Sequence, residues 1–298
     1  MGDFQTKEFQ TILKARKFAR DAGVTTVPVE LERLAAAANA KIKIVHDLTD
    51  DESGQTTQIK GKHVIIVNGN HQEERQRFTV LHELAHIVLE LPSHHHGPTL
   101  TTGTLMGYGH RPPEEMLCDV FAAECLLPYD LFSKDVSDMD ISMDAVKELS
   151  EKYKASLTAT GSRFAVSAQE PCAFVLSEDG QTRYVSRSKF LNEMKGWIDF
   201  NTPLPLRSVA YRLVQNGSKS EDYDELASDV WFNGGIKNRP FLSEEAVLLR
   251  EWNQCLSLIW FDDSMKPVHE RRDEEDDDEP LLKELDGVLS WHSRSKRK

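Results

Sequence analysis

The chain is expected to be an α+β protein, with helices packed on a small mixed sheet in its first half and a second α+β unit after residue 168. Three observations carry that expectation. Apolar residues recur at helical spacing over residues 4–22, 72–90 and 114–127. Two short strand-like runs, 55–60 and 63–67, flank Gly61. From Pro171 onward the pattern turns to strands at 173–176 and 183–186, then to mixed elements rich in aromatics, including Trp197, Trp231, Trp252 and Trp260, of which Trp231 and Trp252 are read as core.

In chain order, Phe4, Phe9, Ile12, Leu13 and Phe18 among Lys and Arg predict a helix that Gly23 ends. Pro28 precedes a second helix through Leu31, Leu34, Ala35 and Ala38, and residues 41–46 alternate as a strand does. The hairpin puts the apolar run Val64-Ile65-Ile66-Val67 at the centre of the sheet, with 55–60 as its outer edge. A long helix over 72–90 stops at Pro92. Residues 93–113 read as a loop, whose run His94-His95-His96 is taken as solvated, with an auxiliary metal site as the alternative. The next helix, 114–127, is closed by Pro128. Two more, near 142–153 and 156–165, meet at a short turn with Ser156 as N-cap, and resemble a helix-turn-helix. Their basic residues are few (Lys147, Lys152, Lys154, Arg163), so packing is preferred over DNA binding.

Composition narrows the function. With 39% apolar and 29% charged residues, the 298-residue chain reads as an ordinary globular protein. Its formal charge is −13; residues 270–279 carry −6 of it, leaving −7 elsewhere. Neither figure favours broad attraction to nucleic acid or anionic lipid. No apolar run approaches the roughly 18 residues a membrane span needs, and no basic region followed by an apolar stretch opens the chain. A cytoplasmic setting is expected. The four cysteines form no CxxC pair and are read as free thiols in a reducing compartment, Cys118 and Cys125 as core packing.

The chemistry concentrates in Leu81-His82-Glu83-Leu84-Ala85-His86. On a helix, the i and i+4 spacing puts His82 and His86 on one face, able to share one ion. Glu83 projects beside them as a candidate base that need not ligate. A metzincin would add a third ligand as HExxHxxGxxH, but positions 89 and 92 are Leu89 and Pro92. A glutamate on a second helix is the other common supply. Glu115 is preferred there, with Asp119 one turn later placed to accept a hydrogen bond from a ligand histidine and fix its tautomer. Glu114 and Glu124 compete for the role.

These runs resemble the ImmA/IrrE family of bacterial and phage metallopeptidases. Gln76-Arg77-Phe78-Thr79-Val80-Leu81-His82-Glu83-Leu84-Ala85-His86 is similar to the family's RxRFTLAHELGH run, and the stretch from Glu115 to Pro128 to its ExxANxFAAxLLMP run. Likeness covers about 25–166. Ala85 stands where glycine is usual, and Cys118-Asp119 where Ala-Asn is usual. The resemblance implies a zincin-like peptidase domain, with His82, His86 and Glu115 as metal ligands and Glu83 as catalytic glutamate. It implies Zn2+, with Mn2+ as an alternative ion. It also implies a protein substrate, a helix-turn-helix repressor or antitoxin-like regulator, cut in a stress, phage or mobile-element response. Tyr108, His110 and Tyr129 are candidates to stabilise the oxyanion.

The expected division is a peptidase domain at 1–135, a helix-turn-helix-like segment at 136–168 and a regulatory or sensor domain at 169–263, GAF-like by the family resemblance. An acidic, largely disordered tail at 264–298 follows, with a short helix near 280–289. The competing reading is a DNA-binding regulator whose metal is structural.

Overall fold

The computed structural model describes residues 2–92, 112–216, 219–237 and 239–261. The loop around the three-histidine run, Tyr108 and His110, and the acidic tail therefore lie outside the described residues.

Helix α1 (Gly2–Asp21) ends where predicted: Gly23 takes φ +75°, and its N–H returns to Arg20 O at 2.9 Å. Helix α2 (Leu31–Ala37) leads into strand β1 (Ala40–Val45). Strands β2 (Gly54–Ile59) and β3 (Lys62–Asn68) form the expected antiparallel hairpin. Its two turn residues, Lys60 and Gly61, both have positive φ, as a type I′ turn requires. Strand β1 pairs with β3 in parallel, giving the order β1-β3-β2. The apolar run is thus central, and β2 is an edge.

Helix α3 (Glu73–Leu89) packs on this sheet and against α4 (Pro113–Leu126). Every residue from Thr79 to His86 is buried, so this stretch of α3 is enclosed on all sides. Helix α1 crosses α4, with the Phe18 and Phe121 rings 5.7 Å apart. A helix absent from the expectation, α5 (Tyr129–Ser137), starts directly after Pro128 and buries Phe132 and Val136, spaced i and i+4. Proline closes α4 but is equally suited to open the next helix.

Helices α6 (Met143–Tyr153) and α7 (Leu157–Ser167) follow, and Ser156 Oγ accepts from Ala159 N as the predicted cap. Helix α7 does not stand free. It lies on β4 (Cys172–Glu178) and β5 (Gln181–Arg187), and Gly161 allows that contact: a Cβ there would fall 2.2 Å from the Phe174 ring. Further on come α8 (Lys189–Glu193), β6 (Thr202–Pro203), α9 (Val209–Asn216), β7 (Glu221–Ala227), β8 (Phe241–Leu249) and β9 (Gln254–Trp260). The strands form an antiparallel sheet in the order β6-β5-β4-β9-β8-β7.

That sheet has two apolar faces. Phe174, Leu176, Leu256 and Leu258 belong to the same core as Leu81, Phe121 and Phe164. Ala173, Val175 and Ile259 pack instead with Val209 and Leu213 of α9 and with Trp231 and Phe232. The chain passes from helices to strands between Ser167 and Cys172, but the core runs across that point. Of the two tryptophans read as core, Trp231 is buried, whereas Trp252 is 46% exposed; Trp197, 40% exposed, lies under the Arg187 guanidinium at 4.3 Å.

Candidate metal centre

Helix α3 supplies His82, Glu83 and His86; Glu115 and Asp119 come from the first turns of α4. The close packing of these two helices brings the groups together. His82 Nε2 lies 3.2 Å from His86 Nε2 and 3.0 Å from Glu115 Oε2, and His86 Nε2 lies 3.6 Å from Glu115 Oε1. The three residues are buried and form a cluster able to hold a metal ion. Ligand atoms about 2.0–2.1 Å from a tetrahedral ion stand about 3.3 Å from one another, so the spacing fits.

The outer nitrogens are held as well. His82 Nδ1 meets Asp119 Oδ1 at 2.8 Å, the contact expected of Asp119. His86 Nδ1 faces Leu91 O at 3.4 Å and Cys118 Sγ at 3.5 Å. The Leu91 carbonyl reaches the ring because α3 stops at once: Glu90 is left-handed at φ 57°, and Leu91 N turns back to His86 O at 3.1 Å. With both Nδ1–H groups donating outward, both Nε2 lone pairs point inward at a carboxylate. Three converging acceptors repel unless a proton or a cation sits among them.

The charge state without a metal follows. Burial alone would lower the His82 pKa, but hydrogen bonds to Asp119 and Glu115 outweigh it and lift the value to about 9. Burial would raise Glu115, but the two histidines hold it well below the usual carboxylate range. The cavity prefers positive charge. Glu83, 4% exposed, is not part of the ligand cluster; its Oε2 accepts from Thr56 Oγ1 at 2.9 Å.

Other sequence candidates fall elsewhere. Glu124, a competing ligand, is buried between Arg16 of α1 and Arg163 of α7, each at 2.8 Å, and ties three helices together. Tyr129 lies past the C-terminal end of α4, while Glu115 lies in its first turn, and the helix is about 21 Å long. The Tyr129 ring instead carries the Arg16 guanidinium at 4.5 Å, so an oxyanion role for it does not stand. Every basic residue noted in the helix-turn-helix-like segment is ion-paired: Lys147 with Glu221, Lys152 with Asp135, Lys154 with Glu73, Arg163 with Glu124.

Sequence reasoning missed three contributors. Cys118 was read as packing only, although it is one turn from Glu115. The Leu91 carbonyl and Thr56 carry no signal in local spacing.

Such a centre, two histidines and a glutamate around one point on the HExxH helix and its neighbour, is of the kind metallopeptidases use to hold their metal. The sequence profile of Peptidase M78, the IrrE N-terminal-like domain, matches residues 37–165. Over these residues the chain is similar to the metallopeptidase domain of the ImmA/IrrE family. No curated protein matches the sequence. Among solved structures, a Mycobacterium tuberculosis transcriptional regulator is similar in fold, with a TM-score of 0.56 at 13% identity over 85% of this chain and 76% of that one.

Proposed function

We propose that this chain is a zinc-dependent, site-specific endopeptidase that cuts a DNA-binding repressor or antitoxin-like regulator and so releases a stress, phage or mobile-element response. The observation that carries the reading is the convergence of His82 Nε2, His86 Nε2 and a Glu115 carboxylate oxygen beside the carboxylate of Glu83. When bound, the ion would acidify water and polarise the scissile carbonyl. His82, His86 and Glu115 would hold it, with Asp119 keeping His82 in the ligating tautomer. Glu83 would take a proton from the attacking water and return it to the leaving amine. The exposed edge strand β2 runs beside Glu83 and offers an extended substrate a strand to pair with.

We read residues 1–135 as the catalytic part and 169–263 as a regulatory, GAF-like part, joined by the helix-turn-helix-like segment 136–168. The setting is read as cytoplasmic. Four buried cysteines, none in a disulfide, support it. A purely DNA-binding role fares worse, because α7 is committed to the sheet and the segment's basic residues are already paired.

The test is incubation of zinc-loaded wild type and Glu83→Gln protein with the repressors encoded beside this chain's gene. A discrete cut by wild type, slowed about 10²–10⁴-fold in Glu83→Gln with zinc retained, is expected. No cut by wild type would remove the peptidase reading.

A further inference from the structure

Strand β2 brings more than an edge to the centre. Thr56 pairs across the hairpin with Ile65, which is fully buried, so the Thr56 side chain lies on the inner face, while Gln55 and Thr57 are exposed. Gly54 lets the strand press against α3: a Cβ there would come within 2.6 Å of both Ile66 O and Thr79 Cγ2. Thr79 is one helical turn before Glu83. The close approach therefore delivers the Thr56 hydroxyl to Glu83, where it donates to Oε2 at 2.9 Å; its other acceptor within reach, at 3.5 Å, is the backbone carbonyl of Glu83 itself. The terminal torsion of a glutamate is broad, so an unheld carboxylate samples many orientations. One donor on one oxygen narrows that range.

We propose that Thr56 is a positioning residue for Glu83, which ties the base to the strand along which an extended substrate would lie. The proposal rests on the peptidase reading and deepens it. It makes the hydroxyl, not the bulk, of residue 56 the functional group.

The test compares zinc-loaded wild type, Thr56→Val and Thr56→Ser proteins. Cleavage is followed on fluorescein-labelled casein and on the repressors encoded beside the gene. Bound zinc and melting temperature are measured on the same samples, and crystal structures of the zinc-loaded variants are solved. Thr56→Val keeps the shape, and its expected effect is a kcat lower by about tenfold with KM, zinc content and melting temperature unchanged. Thr56→Ser should restore kcat to within about threefold of wild type, since the hydroxyl returns. In the crystals the Glu83 carboxylate should be turned in Thr56→Val and in place in Thr56→Ser. Equal kcat for wild type and Thr56→Val would overturn the proposal and leave the peptidase reading standing. So would a loss that Thr56→Ser fails to reverse, or one that accompanies lost zinc or a lower melting temperature. Wild type that cuts nothing would remove both.

Discussion

Glu244 and Glu115 are both buried carboxylates, one on strand β8 of the six-stranded sheet and one beside the histidines. Glu244 accepts from Trp231 Nε1, Val209 N, Ala210 N and Ser257 Oγ, all between 2.8 and 3.0 Å. Burial raises its pKa against the pull of those four donors. Its partners come from the chain itself. Glu115 faces two imidazole nitrogens that, in the ligating tautomer, offer lone pairs instead of protons. A buried anion ringed by donors is a finished structural device, while one facing imidazole lone pairs needs a proton or a cation between them. The kind of neighbour, more than the burial, separates the two.

The comparison can be broken at either carboxylate. The largest effect is expected at Glu115→Gln: zinc affinity, measured by competition with a chromophoric chelator, should fall by well over about 100-fold, the upper end for losing a group outside the ligand set. Glu244→Gln should show the reverse, with unfolding free energy lower by about 3 kcal/mol in denaturant titration and zinc affinity unchanged. An equal loss of zinc from both variants would erase the distinction. Asp119→Asn keeps the shape but weakens the hold on His82 Nδ1, and a drop in zinc affinity of about 10-fold is expected.

The smallest effect is on pH dependence. Without metal, folded His82 has its pKa raised to about 9. The stability this brings is fully present below the unfolded value, about 6.5, and is lost as pH rises through about 9. Metal-free protein should therefore melt at progressively lower temperature from about pH 6.5 to 9, and Asp119→Asn should flatten that slope. Zinc-loaded protein should not show it, because His82 ligates in its neutral form.

Much of this centre was legible because its geometry is local. The i and i+4 spacing of His82 and His86, and of Glu115 and Asp119, fixes a shared face once each run is helical. The cap at Ser156 and the hairpin turn at Gly61 were legible for the same reason. What was hidden depends on packing between distant segments. Glu124 reads as one more acid near the ligands until Arg16 and Arg163, 108 and 39 residues away, close on it. The edge position of β2 was expected, but which of its side chains meets α3 depends on how the sheet packs on that helix, and only then does Thr56 fall beside Glu83. Helix α5 was concealed by its shortness and by a proline that ends one helix and begins another.

The core that runs unbroken from Leu81 through Phe164 to Leu258 has a practical consequence for anyone cutting the gene. A fragment stopped at residue 168 would bare Phe164 and Ala165, both fully buried in the whole chain, together with the flank of α7 that Gly161 opens to Phe174. Such a truncation should be sticky and poorly behaved even with every metal ligand present. The six-stranded sheet is joined to the Glu115 helix through α7, whose Arg163 pairs with Glu124.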